Sequence, residues 1–152
     1  METLKSYNPA TGEVLGEVEI TPAGEVPNIV ARAKAAQPAW SDLGLEGRAE
    51  LINTTADIFV DRVQEHGELM TKEMGKLTSQ GEQEIDLCIS ICEYTAENGA
   101  DSLKDEQRTL PNGGKGLITY SPLGVIYGIQ PWNFPTYQVI RYAIANIMAG
   151  NG

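Results

Sequence analysis

Histidine and cysteine are scarce in this 152-residue sequence, with one of the first and two of the second. His66, in "QEHGEL", has neither a second histidine nor a cysteine nearby, which excludes a metal knuckle there, and it is expected at a solvent-facing helix end. Cys88 and Cys92 stand four apart in "EIDLCISICEY", a helical spacing that reads as two small core residues rather than a disulfide loop. Basic residues are also few. Eleven lysines and arginines against 21 acids give a formal charge of −10, which repels phosphate backbones and argues against a nucleic-acid partner. No window approaches the eighteen or so apolar residues of a membrane span, and "METLKSYNPATG" has no apolar leader core, so neither a membrane partner nor a secretory route is expected. A cytoplasmic location is the expectation. Internal repeats and low-complexity tracts are absent, and "NGGKG" lacks the spacing of a phosphate-binding loop.

What is present suits a domain with a core: 41% hydrophobic and 21% charged residues over a length that buries roughly 70% of its unfolded surface. Asn8 to Gly12 form a turn between a short strand and the β-rich residues 14–20, which predicts a hairpin. Pro27 stands near a helix start, with apolar residues at Val26, Ile29, Val30, Ala33 and Ala36, and Pro38 is expected to stop that helix. From 45 to 63 the positions Leu51, Ile52, Ala56, Phe59, Val60 and Val63 follow a one-faced helical rhythm that Gly67 is expected to interrupt. A short helix, "ELMTKEM", closes at Gly75. Ser79 and Glu82 offer a capping box for a long helix with Ile85, Cys88 or Ile89, Cys92, Ala96 and Leu103 on its apolar stripe.

Beyond Leu103 the pattern changes. Turn residues 111–114 precede β-rich segments 117–120 and 125–129, the second apolar at nearly every position, as in a strand covered on both faces of a parallel sheet. Pro135 then opens a last helix with Val139, Ile140, Ala143, Ile144, Ile147 and Met148 facing a core. Strand, loop and helix in that order form the unit at whose carboxyl end open α/β sheets bind ligands. The loop is "QPWNFP". Asn133 falls just outside the first helical turn, where unpaired backbone N–H groups and the positive dipole end favour developing negative charge, and its amide brings two further donors. From the residues alone it is equally a turn residue or helix cap, with Trp132 a surface plug.

The segments "NPATGEVLGEV", "ARAKAAQPAW", "PLGVIYGIQPWNFP" and "MAGN", in this order and at these intervals, resemble the first third of the aldehyde dehydrogenase superfamily. "EMGK" is similar to that family's E-[TS]-G-K, and "PWNFPTYQVIR" most resembles the bacterial succinate-semialdehyde dehydrogenase group. The resemblance implies an α/β fold: a helical N-terminal part with a β-hairpin, followed by the opening strands of a Rossmann-like NAD(P)-binding domain. Residues 1–152 would be the N-terminal part of that domain, with 104–122 a strand arm for oligomerisation into a homo-oligomer.

It also implies roles. Asn133 matches the asparagine whose amide stabilises the thiohemiacetal oxyanion formed when a cysteine attacks the aldehyde. Ile129, Pro131, Trp132 and Asn133 match the stretch lining the nicotinamide side of an NAD or NADP cleft. Phe134, Tyr137, Gln138 and Arg141 share one helical face, which in the family borders the tunnel for a small aldehyde. Arg141 either pairs with the carboxylate of a semialdehyde acid or is a solvated arginine on the outer face. The family's cysteine nucleophile, water-activating carboxylate and cofactor lysine belong to motifs beyond Gly152, so the sequence is expected to be part of a longer one and inactive alone. The alternative is a non-catalytic folding or interaction unit that associates through exposed strands.

Overall fold

The computed structural model describes residues 2–152. Strands β1 (Thr3–Tyr7) and β2 (Val14–Glu19) pair antiparallel, with a bulge between Ser6 and Tyr7. The connecting turn is built by Asn8, whose Oδ1 accepts from the amides of Ala10 (2.9 Å) and Thr11 (3.3 Å), and by Gly12 at φ 74°. This is the hairpin expected from the sequence.

After a 3-10 turn at Ala23–Glu25, five α-helices follow among the described residues: α1 (Val26–Asp42), α2 (Gly44–Val60), α3 (Val63–Met74), α4 (Thr78–Leu103) and, after a second hairpin, α5 (Pro135–Met148). Helix α4 is the central element and packs against α2, α3 and α5. Ile52, Ala56, Cys88, Cys92, Ile144 and Met148 meet in the buried core, and each large apolar side chain removed from water there contributes roughly 1.5–3 kcal/mol. Both cysteines are free and buried, on the stripe where the sequence places them.

Several local expectations are corrected. Pro38 lies inside α1 rather than ending it, on an exposed face where the missing N–H leaves a carbonyl that water reaches. The break after α2 comes at Asp61 and Arg62, and Gly67 is buried within α3. Its role is close approach: a Cβ built on Gly81 of α4 would stand 2.9 Å from the Gly67 Cα, so the two glycines let α3 and α4 touch backbone to backbone. Ser79 and Glu82 form no capping box; Leu77 occupies the N-cap position of α4 without a side-chain cap, and Thr71 and Thr78 join hydroxyls at 2.8 Å across the α3–α4 corner. Leu51, Val60 and Val139 are exposed, not core. His66 is half-buried against Phe59, ring centroids 5.5 Å apart. Gly75 closes α3 at φ 72°, as expected.

Strands β3 (Glu106–Thr109) and β4 (Lys115–Ile118) form the second antiparallel hairpin. The polar β3 carries no strand signal of its own and is recruited by its partner. Residues 125–129 join no ladder among the described residues. One rung of parallel type is present, with Ile126 N donating to Gly152 O (2.8 Å) and Gly152 N to Gly124 O (2.9 Å). The expectation that this segment is covered on both faces is not met within the described residues: Tyr127 and Ile129 stand 86% and 83% exposed.

Candidate functional site

Residues 131–134 make a proline-bounded corner between the 125–129 segment and α5. Pro135 occupies the first turn of α5, where its lack of an N–H costs nothing and its fixed φ suits the helix. Trp132 is 76% exposed, and Asn133 is exposed beside it. Among the described residues the Asn133 carboxamide makes no hydrogen bond to the rest of the chain, so both its N–H donors are free toward solvent.

The amides behind the corner are not free. Glu84, buried in α4, sends Oε1 to the backbone N–H groups of Thr136 (3.0 Å) and Tyr137 (2.9 Å). Gln138 N donates to Phe134 O (2.9 Å), and Pro135 has no N–H. The Thr136 and Tyr137 donors of the first turn of α5 are therefore engaged, and the positive end of the helix already faces a carboxylate. The expectation of unpaired amides beside Asn133 is corrected for Thr136 and Tyr137.

Glu84 is in turn paired with Lys76 through Oε2, their side chains 0% and 8% exposed, and the Lys76 ammonium lies 3.9 Å from the centroid of the Phe134 ring. Phe134 meets Tyr137 edge to face at 6.2 Å. A cavity of about 300 Å³ opens next to this cluster, lined by Lys76, Gln80, Gln83, Glu84, Leu87 and Phe134. Sequence reasoning missed Lys76, Glu84 and Leu87. The first belongs to the "EMGK" segment, but nothing in local spacing links it to a residue eight positions on and a helix fifty positions beyond.

The other expected site residues sit as follows. Ile129 and Pro131 are exposed on the approach to the corner. Tyr137 and Gln138 are half-buried on the first turns of α5, and Arg141 is exposed with its guanidinium carbon 5.6 Å from the Tyr137 ring centroid. Phe134, Tyr137 and Arg141 thus form a continuous row of contacts, edge to face and then cation over ring, with Gln138 beside it.

Neither cysteine offers a nucleophile to this corner. Burial, with the Glu84 carboxylate and Cys92 adding to it, pushes the Cys88 thiol up to about 12, and burial, with Glu93, pushes Cys92 up to about 11. Both are protonated at neutral pH and shielded from solutes. No group of metal-ligating side chains occurs among the described residues. No helix among them is long and apolar enough to cross a membrane.

Comparison with known proteins adds the following. The aldehyde dehydrogenase family model matches residues 1–152. A succinate-semialdehyde dehydrogenase [NADP(+)] of Deinococcus radiodurans is 35% identical over 146 residues, covering 96% of this chain and 30% of the relative. Escherichia coli succinate semialdehyde dehydrogenase [NAD(P)+] Sad is 37% identical over 147 residues, covering 97% of this chain and 32% of the relative. Among solved structures, succinic semialdehyde dehydrogenase from Streptococcus pyogenes in complex with NADP+ superposes with a TM-score of 0.89 at 30% identity, over 97% of this chain and 32% of that one. The chain spans about a third of the length of the relatives it matches, and its helices and two small sheets correspond to the N-terminal part of their fold.

Proposed function

The chain belongs to the aldehyde dehydrogenase family, and on that footing we propose that it is the oxyanion-binding part of an NAD(P)-dependent aldehyde dehydrogenase. The observation that carries this reading is the Asn133 carboxamide, exposed and without an intramolecular partner at a corner braced by two prolines. A donor held in this way meets a developing charge without first breaking a bond of its own. In the reaction, a cysteine supplied from outside these 152 residues attacks the aldehyde carbon. The carbonyl oxygen gathers negative charge, and the Asn133 N–H groups receive it.

The residues next to Asn133 fit a nicotinamide cofactor by chemistry: Ile129, Pro131 and Trp132 offer an uncharged, largely apolar and accessible strip to a flat ring. NAD or NADP held there would supply the acceptor for the hydride of the carbon that the cysteine has attacked. Asn133 meanwhile holds the oxygen. The row Phe134, Tyr137, Gln138 and Arg141 borders the aldehyde, and the exposed Arg141 guanidinium selects one that bears a second, anionic end. Succinate semialdehyde is the substrate this favours, in keeping with the names of the relatives.

The test compares Asn133→Ala and Arg141→Ala in the enzyme with its whole chain. Asn133→Ala is expected to lower kcat by about 100-fold or more. Arg141→Ala is expected to raise KM for succinate semialdehyde at least tenfold more than for a neutral aldehyde of equal length, about 1.4 kcal/mol of selectivity. Equal losses for the two substrates would remove the substrate assignment, and an unchanged kcat in Asn133→Ala would remove the oxyanion role. The 152 residues alone are expected to give no aldehyde-dependent reduction of NAD(P)+.

A second reading is a non-catalytic unit that associates through exposed strands. Leu123, Tyr127 and Ile129, at 88%, 86% and 83% exposure, favour it, because large apolar side chains on an unladdered extended segment invite another strand. Association into a homo-oligomer, with 104–122 as the arm, is compatible with both readings, as is a cytoplasmic location. Size-exclusion mass measurement beside an NAD(P)H absorbance assay separates the two.

A further inference from the structure

A lysine and a glutamate are withdrawn from water directly behind the corner. Taking two such ions out of water costs several kcal/mol each, and apolar side chains of similar size would hold α4 against α5 at less expense. Apolar groups, however, have no direction. The Glu84 carboxylate has two oxygens with separate tasks: Oε1 receives both Thr136 N–H and Tyr137 N–H, and Oε2 receives Lys76. Lys76 in turn lies over the Phe134 ring, the residue next to Asn133. The cluster therefore grips the chain on both sides of Pro135, at Phe134 by its ring and at residues 136 and 137 by their amides.

From this geometry we propose that Lys76 and Glu84 are positioning residues for Asn133, fixing the first turn of α5 and the Phe134 ring so that the carboxamide between Trp132 and Phe134 keeps one aim. The proposal rests on the oxyanion reading of Asn133. It also bears on why a side-chain donor stands at the corner. With the Thr136 and Tyr137 amides and the positive helix end engaged by Glu84, those two amides are closed to a substrate oxygen, and the side-chain donor the corner presents is the Asn133 carboxamide. Neither Lys76 nor Glu84 touches substrate in this scheme.

The experiment uses the enzyme with its whole chain and the variants Glu84→Leu, Glu84→Gln, Asn133→Ala and the double variant Glu84→Leu/Asn133→Ala, with NADP+ and a saturating aldehyde. Glu84→Leu is expected to lower kcat on the order of 10- to 100-fold, the effect of misplacing a reacting group by about 1 Å, while KM for the aldehyde changes much less. Glu84→Gln, which keeps an oxygen for the two amides, is expected to lose less. In the Asn133→Ala background the Glu84→Leu loss should vanish, because there is no longer a carboxamide to aim. A loss that persists undiminished in that background shows a general structural role and overturns the proposal, as does a kcat for Glu84→Leu within twofold of the parent.

Should Glu84→Leu fail to fold because Lys76 is stranded, Lys76→Met/Glu84→Leu takes its place in the same cycle. If Asn133→Ala alone leaves kcat unchanged, the oxyanion reading falls but the positioning claim is still decided. The side-chain amide signals of Asn133 in nitrogen-15 spectra must then move in Glu84→Leu while those of the β1–β2 hairpin stay; unmoved Asn133 signals overturn it.

Discussion

Arg48 of α2 donates from Nε to the carbonyl of Met148 at the end of α5, 3.0 Å away and 100 positions along the chain. Its Nη1 donates to Ser41 O at the end of α1 (2.9 Å). One buried guanidinium thus serves the carboxyl ends of two helices, where unpaired carbonyls and the negative dipole end favour a cation. Trp40 Nε1 takes the Ile147 carbonyl (2.8 Å), and Gln37 Nε2 takes Gly150 (3.1 Å). Asn151 Oδ1 accepts from the amides of Leu123 (2.6 Å) and Gly124 (3.1 Å), fastening the start of the 125–129 segment to the same knot.

Arg48→Met, close in volume and without donors, should destabilise the chain by about 2–4 kcal/mol, since it removes two charge-assisted hydrogen bonds and strands the Met148 carbonyl, while Ser41 O keeps the Leu43 N–H. Arg48→Lys should recover less than half, because an ammonium cannot span both carbonyls as the planar fork does. Urea midpoints read the difference. A loss below about 0.5 kcal/mol for Arg48→Met, the size of an ordinary surface change, would mean that the knot contributes nothing.

The two cysteines give a pH dependence with a defined sign. Each thiol is raised in the fold from 9.0, to about 12 for Cys88 and about 11 for Cys92, so folding favours the protonated form. The contribution is fully present below pH 9 and is lost as pH climbs from 9 through 11 to 12. The urea midpoint should fall more steeply between pH 9 and 10.5 in the parent than in Cys88→Ala/Cys92→Ala. At pH 8 an aromatic disulfide reagent should titrate no thiol before unfolding and two after it.

Gly81→Ala should cost about 1–3 kcal/mol, because the added methyl meets the Gly67 backbone, at Cα 2.9 Å and O 3.0 Å, which cannot step aside without parting α3 from α4. Gly24→Ala, with nothing within 4 Å of the new carbon, is the control and should leave the thermal midpoint where it is or raise it slightly. Similar losses at both positions would deny the close approach any special cost.

Tyr142 carries a buried hydroxyl without a hydrogen-bond partner among the described residues, and its ring fills the space against Gly128, whose built Cβ would lie 2.5 Å away. Tyr142→Phe keeps the ring and removes the unpaired group, so stability should stay level or rise by up to about 1 kcal/mol. A loss of that size on calorimetry would contradict the assignment.

Much of this was legible in the sequence where the signal is local. The β1–β2 hairpin followed from an Asx turn with a glycine, the Gly75 stop from its position after a periodic run, and the core placement of Cys88 and Cys92 from their four-residue spacing. The corner at 131–134 was visible because two prolines bound it. What stayed hidden depends on partners far along the chain. Gly67 looked like a breaker because a glycine that lets two backbones meet has the same letter as one that ends a helix. Glu82 looked like a cap while Glu84, two positions on, caps a different helix altogether. Segment 125–129 has the composition of a covered strand, but coverage is a property of neighbours, and among the described residues Gly152 supplies its single rung.

Because α5 is held at its first turn by Glu84 and at its last by Arg48, Trp40 and Gln37, it behaves as a rigid lever between two fixed bearings. Fourteen residues span about 21 Å, so a tilt of only about 3° at the Met148 bearing swings the opposite tip by roughly 1 Å. Substitutions around Arg48, remote from any reacting atom, should therefore register at Asn133 as errors of alignment before they register as unfolding.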